Sequence, residues 1–180
     1  MIYQAIFASP LGDISIQSDG KHVTALYFVG QRYDGTLEQG ASKSLEALPL
    51  WKTIETYLTR YFKGEKPDPQ KLPLAPQGTA FQKRVWQKLL AIPYGEVTTY
   101  GAIAAEIAQE TGKPHFSAQA VGNAVGRNPI SIISPCHRVI GKDGSLTGYA
   151  GGIERKKWLL EREGRRAAPD YLPEARIAPI

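Results

Sequence analysis

The chain is poor in sulfur, with one cysteine, Cys136, and one methionine among 180 residues. A single thiol excludes an internal disulfide and any zinc site built from several cysteines, and it fits a reducing compartment. Any covalent chemistry through sulfur must therefore use Cys136. No apolar run approaches the roughly 20 residues of a membrane span. Met1-Ile2-Tyr3-Gln4 also lacks the basic start and apolar stretch of a signal peptide. The expectation is a cytoplasmic protein without membrane contact, needing no metal and no cofactor. An excess of either charge is missing from one half only. Residues 1–76 hold 8 Lys+Arg against 8 Asp+Glu, whereas residues 77–180 hold 14 against 9, so the whole net charge of +5 lies with the cysteine half. That asymmetry points to a polyanionic partner for the second half.

What is present is ordinary globular usage, 42% hydrophobic and 22% charged, enough for one domain or two small ones. Ile2 to Phe7, Asp13 to Gln17 and His22 to Val29 have strand character, and Pro10-Leu11-Gly12 and Asp19-Gly20 separate them as turns, which predicts a three-stranded antiparallel meander. Residues 30–43 read as a polar loop. Trp51, Ile54, Leu58, Tyr61 and Phe62 then recur at helical spacing, with Pro49 near the start and Gly64 past the end. Four prolines between Lys63 and Gly78 predict an extended linker, and the domain boundary is placed there: 1–76, then 77–164, with 165–180 as a tail.

The second half opens on a capping box, Thr79-x-x-Gln82, with Phe81, Val85, Leu89 and Ile92 along one helical face. Pro93-Tyr94-Gly95 ends it. Thr99 can cap a helix from Tyr100 to about Glu110, and Ser117 can cap a third from Ala118 to Arg127, stopped by Asn128-Pro129. Two helices about a short turn predict a helix-turn-helix. Ala118, Ala120, Gly122, Ala124 and Gly126 make the third helix thin, although a glycine inside a helix costs about 1 kcal/mol relative to alanine. Either tight helix packing or close approach to another surface accounts for that.

Cys136 lies in Asn128-Pro-Ile-Ser-Ile-Ile-Ser-Pro-Cys-His-Arg-Val-Ile-Gly141. The β-branched run Ile130 to Ile133 reads as a short buried strand ended by Pro135, which holds the thiol just past a rigid element. His137 and Arg138 supply positive charge or hydrogen bonds of the kind that lower a thiol pKa.

Pro135-Cys136-His137-Arg138 followed by Val139-Ile140 resembles the active-site signature of the O6-alkylguanine-DNA alkyltransferases, the methylated-DNA–protein-cysteine methyltransferases. Phe81-Gln82 through Trp86, Ile92 through Tyr100, Ala120-Val121-Gly122, Gly148 through Gly152 and Lys157 through Leu160 with Glu163-Gly164 extend the resemblance over residues 78–164. It implies an α+β protein: an N-terminal three-stranded antiparallel sheet with a helix, ribonuclease H-like, and a C-terminal, mainly helical, winged-helix-like helix-turn-helix domain. The implied activity is repair of O6-alkylguanine in double-stranded DNA by a monomer. The base is flipped out of the stack and its alkyl group passes irreversibly to Cys136, with O4-alkylthymine a further candidate substrate. The resemblance gives His137 the role of base, oriented by Glu163, and Tyr100 that of proton donor to the leaving guanine. Asn128 becomes the hinge that places the thiol. It sets Gln119, Ala118, Ala120, Gly122, Arg127 and Thr99 against DNA, and it lines the substrate pocket with Tyr149, Ser134, Val139 and Ala150.

Two residues depart from the family pattern. Gln119 stands where an arginine normally fills the gap left by the flipped nucleotide, and Ser134 stands where relatives carry a large apolar residue. Readings from other classes are a noncatalytic lesion-sensing DNA binder, a cysteine hydrolase and a sequence-specific transcription factor. The retained Cys136 argues against the first, the lack of an oxyanion-hole glycine motif against the second, and the few base-reading side chains of the thin helix against the third.

Overall fold

Strand β1 (Ile2–Ser9) folds back through Pro10-Leu11 onto β2 (Gly12–Ser18), and β2 pairs antiparallel with β3 (Val23–Phe28). The computed structural model describes residues 1–31, 42–146 and 148–164. The tail expected at 165–180 and most of the loop expected at 30–43 lie outside the described residues. The chain divides into two compact units, Met1–Gln77 with Pro129–Ile133, and Gly78–Asn128 with Ser134–Ile180. The sequence reading placed 129–133 with the second half; the structure puts it with the first.

In the first unit the sheet has four strands in the order β3-β2-β1-β4, one more than the sequence predicted. The extra strand, β4 (Ser42–Ser44), runs parallel to β1 and is exposed at all three positions, so it carries no apolar alternation from which to read it. Cross-strand pairs such as Ile14↔Phe28 and Ile16↔Leu26 bury their side chains completely. Helix α1 (Pro49–Phe62) has its proline in the first turn and buries Trp51, Ile54, Tyr57, Leu58, Tyr61 and Phe62, with Phe62 stacked on Phe7 of β1.

The free edge of β3 is covered at two places. Val23 exchanges backbone hydrogen bonds with Pro73 and Ala75 of the proline-rich segment, and Leu26 does so with Pro129 and Ser131. An edge covered in this way offers no template for another chain. The second contact corrects the strand expected at Ile130 to Ile133. Only Ile130 forms a bridge, after which the chain turns and Ile132 adopts φ 69, a conformation unfavourable for a β-branched residue. The apolar run signals burial on all sides, not extension: Ile130, Ile132 and Ile133 are each 1% exposed.

The second unit begins with α2 (Ala80–Leu90), whose capping box between Thr79 and Gln82 is fully formed. Thr99 caps α3 (Tyr100–Thr111) and Ser117 caps α4 (Ala118–Gly126), so the three N-termini fall where the sequence placed them. Val121, Ala124 and Val125 are the buried face of α4, and Trp86 of α2 donates its indole N–H to the Ala124 carbonyl at 2.8 Å. Lys88 ties α2 to Glu106 and Glu110 of α3. Strands β5 (Thr98–Thr99) and β6 (Val139–Ile140) pair in parallel, and α5 (Ile153–Arg162) closes the unit. Val97, Ile140, Leu146 and Leu160 form a core without solvent exposure. No described helix is long and apolar enough to cross a membrane.

Candidate active site

Cys136 opens a 3₁₀ turn, Cys136–Arg138, between Pro135 and β6, and is 6% exposed. Its position is set by the residue two before it. The Ser134 carbonyl accepts the Cys136 N–H at 2.8 Å and the Asn128 side-chain amide at 2.9 Å. Asn128 therefore fixes the turn, and its side chain also hydrogen-bonds the sulfur.

Burial pushes the Cys136 thiol up, opposed by the Asn128 hydrogen bond and by the charge of Lys156. Of the expected help from His137 and Arg138, only a backbone hydrogen bond of His137 acts on the thiol, and burial outweighs it. Arg138 is turned away, donating to Glu163 at 2.6 Å and to the Ile92 carbonyl at 2.7 Å, with its guanidinium over the Tyr94 ring. A thiol so placed stays protonated near neutrality and requires a base.

An imidazole follows it in the chain. His137 Nε2 lies 2.5 Å from Glu163 Oε2, and both side chains are fully buried. Burial alone would raise the Glu163 carboxyl, but the charges and hydrogen bonds of His137 and Arg138 hold it well below the usual carboxylate range. Burial pushes the imidazole down, against the pull of Glu163. Arg138 remains charged at any accessible pH, so the carboxylate keeps a cationic partner also when the imidazole is neutral, and the neutral imidazole then donates Nε2–H to it. The lone pair then falls on Nδ1, which has no partner among the described residues.

Glu163 ends α5 and is 6% exposed. A helix C-terminus disfavours an anion, and two side chains together with the Gly95 N–H, which donates to Oε1 at 3.3 Å, offset that here. Gly95 adopts φ 82, and a Cβ there would lie 3.1 Å from the Glu163 carbonyl oxygen, so the Pro93-Tyr94-Gly95 turn admits no side chain at that point.

Tyr100 and Gly122 are neighbours. A Cβ on Gly122 would meet the Tyr100 ring at 3.7 Å, while one on Gly148 would meet its hydroxyl at 3.5 Å. Burial first, then the Cys136 charge, pushes the Tyr100 phenol up to about 12, so it stays a proton donor. Tyr149 is buried and Ala150 half-buried. Ser134 is buried, and its hydroxyl has no partner among the described residues. Val139 is wholly buried in β6 with its carbonyl taken by Lys156. On α4, Ala118, Gln119 and Arg127 are exposed and Ala120 and Gly122 half-buried, while the Thr99 hydroxyl accepts the Ala102 N–H as a helix cap.

Lys156 is what sequence reasoning missed. Set in the run Arg155-Lys156-Lys157, it reads as part of a solvated face, yet it is 0% exposed and donates to the Val139 carbonyl at 2.6 Å. Burial lowers its ammonium to about 8, opposed by Cys136. The signal lies in the period: positions 156, 159, 160 and 163 form one face of α5, so Leu159 and Leu160 carry Lys156 and Glu163 inward with them. Among the described residues no group of three or more His, Cys, Asp or Glu side chains is placed to hold a metal ion.

A lone thiol beside a buried imidazole–carboxylate pair, in a unit whose α3 and α4 form a helix-turn-helix arrangement, defines a class of protein with a nucleophilic cysteine. Residues 80–165 match the family model described as 6-O-methylguanine DNA methyltransferase, DNA binding domain, and residues 2–76 match that family's ribonuclease-like domain. The chain belongs to the 6-O-methylguanine DNA methyltransferase family. It is 42% identical over 162 residues to the methylated-DNA–protein-cysteine methyltransferase of Haemophilus influenzae, covering 90% of this chain and 86% of that protein. The crystal structure of Mycobacterium tuberculosis O6-methylguanine methyltransferase superposes with a TM-score of 0.76 at 41% identity, over 94% of this chain and 97% of that one. That of Mycobacterium tuberculosis OGT in complex with DNA gives 0.75 at 39% identity, over 97% and 94%.

Proposed function

We propose that this protein repairs O6-alkylguanine in duplex DNA by moving the alkyl group onto Cys136, once per molecule. The carrying observation is the buried thiol next to an imidazole whose Nε2 is committed to Glu163, leaving Nδ1 to accept a proton. His137 takes the Cys136 proton through a water molecule. The thiolate then attacks the alkyl carbon in line, so that the S–C bond forms as the C–O6 bond breaks. Tyr100 gives its phenolic proton to the leaving guanine, and the imidazolium proton passes through solvent to the tyrosinate, which leaves His137 and Tyr100 as they began. Lys156 adds a positive charge that favours the thiolate over the thiol. Asn128 is a positioning residue for the turn that carries the sulfur.

The guanine must leave the stack to reach this site, and α4 is the element suited to the minor groove. Its glycines answer no demand of internal packing: a Cβ at Gly122 finds ordinary contact at 3.7 Å, and one at Gly126 finds nothing nearer than 4.0 Å. A thin outer surface remains as the reason for them. Gln119 points out of that surface with no hydrogen bond among the described residues, free to pair with the base left opposite the flipped nucleotide.

Mass spectrometry of protein mixed with an O6-methylguanine duplex tests the proposal. One methyl on Cys136, with a burst amplitude equal to the protein concentration, is the expected result. Steady turnover past one equivalent without added thiol, or no methyl on Cys136, overturns it.

A further inference from the structure

Helix α4 has only two polar side chains, Gln119 and Asn123, and no charge along its length. A helix that enters a groove between two rows of phosphates gains most of its affinity from cations, because each neutralised phosphate releases condensed counterions. If α4 carries none, the cations must stand beside it.

The turn 112–117 between α3 and α4 supplies one in a fixed position. Gly112 ends α3 in the left-handed conformation at φ 69, and the N–H of Lys113 returns to the Ala108 carbonyl at 2.9 Å. The Lys113 ammonium sits 5.2 Å from the centre of the Phe116 ring, which itself stacks on Phe81 of α2 at 5.1 Å with a 14° interplanar angle. An aromatic pair thus holds a surface lysine that would otherwise sweep a wide volume. Lys113 has no carboxylate partner among the described residues, and Glu106 and Glu110 of α3 are bound to Lys88 and Arg84.

The held cation lines a groove of about 430 Å³. It is lined by α3 at Gly101, Ala104, Ala105 and Ala108 and by the turn at His115 and Phe116, running into Ala118, the first residue of α4. A groove lined by small side chains along α3, with a lysine and no acidic residue, matches a phosphodiester strand in shape and in charge. It is continuous with the face of α4 already assigned to DNA.

We propose that this groove is a phosphodiester subsite for the DNA strand flanking the lesion, in which Lys113, held over Phe116, supplies the charge that Gln119 does not. The inference rests on the reading of α4 as the DNA-contacting helix and adds the residue that anchors it. Lys113 touches the strand and not the reacting atoms, so its contribution lies in binding and in duplex repair.

Binding of an undamaged duplex across a salt series compares wild type with Lys113→Met. The slope of log affinity against log salt falls in magnitude by about 0.9 in the variant, with binding at low salt weaker by roughly three- to fivefold. Phe116→Leu, which keeps the charge and removes its platform, weakens binding by less. Adding Gln119→Arg to Lys113→Met restores the slope. Transfer from an O6-methylguanine duplex slows more than transfer from free O6-benzylguanine. An unchanged slope in Lys113→Met, or equal slowing with duplex and free base, overturns the proposal. The salt series needs no alkyl transfer, so failure of wild type to gain a methyl would refute the repair function while leaving the subsite to be judged on binding alone.

Discussion

Each unit of the molecule holds a histidine–carboxylate pair, and the two differ above all in burial. His22 and Asp19 of the first unit are 3.0 Å apart with side chains 44% and 46% exposed; His137 and Glu163 of the second are 2.5 Å apart with neither exposed. In the first, a hydrogen bond from the Lys21 backbone and then one from His22 lower Asp19 to about 2, and the pair does no more than fasten a turn. In the second, burial shifts the imidazole and the neighbouring thiol and lysine, while His137 and Arg138 overcome burial to hold the Glu163 carboxyl down. Among the described residues the buried polar groups of the first unit are neutral, Ser15, Ser18, Gln31 and Ser131, while His137, Arg138, Lys156 and Glu163 are all in the second. A buried charge costs several kcal/mol unless partners compensate it. Such expense concentrated in one unit marks where the chemistry is.

The contrast is broken most completely by Cys136→Ala. Mass spectrometry should find no methyl on the variant, while its binding to duplex by fluorescence anisotropy stays close to wild type, because the thiol is buried. Loss of duplex binding in parallel with transfer would merge two roles kept separate here.

Glu163→Gln is the next largest. Removing the carboxylate charge leaves Arg138 buried without its counter-ion and His137 without its orienting anion, so unfolding in denaturant should show a loss of about 3–5 kcal/mol. The single-turnover rate should fall by about 10² to 10⁴. Asp19→Asn in the exposed pair should change stability by under about 1 kcal/mol and leave transfer untouched.

pH separates the units by window. The folded imidazole of His137 lies below its ordinary 6.5, so as pH falls through about 6.5 the unfolded chain binds the proton first and stability drops. Glu163, depressed from 4.5, contributes stability that is present above that value and lost as pH falls further. Asp19 in the first unit contributes only above 3.8 and loses its share between 3.8 and about 2. Acid melting followed by hydrogen exchange should therefore show the second unit loosening before the first. On the alkaline side Lys156, at about 8 when folded against 10.5, makes stability rise with pH between those values, partly offset by the raised Cys136 thiol. Lys156→Met should remove that rise, and its persistence would show that another group titrates there.

The smallest effect expected is that of Gly122→Ala. The new methyl finds ordinary contact with Tyr100 at 3.7 Å and relieves a helical glycine, so stability should rise by about 0.5–1 kcal/mol while duplex binding weakens. Tighter binding in this variant would show that thinness of α4 is not what the groove requires.

Local signals determined much of this protein from the sequence alone. Thr79 with Gln82, Thr99 and Ser117 marked three helix starts because capping depends on residues within one turn. Pro135-Cys136-His137-Arg138 pointed to the site because the thiol and the imidazole proposed as its base are adjacent in the chain. Two other features were out of reach. Ser42–Ser44 forms a strand only because β1 offers it an edge, and Ile130–Ile133 turns because β3 accepts a single bridge. The raised thiol, the direction of Arg138 and the burial of Lys156 were decided by tertiary structure, since they depend on what surrounds a charge in space. Sequence shows that a lysine follows an arginine; whether water reaches it depends on which face of α5 the fold turns inward.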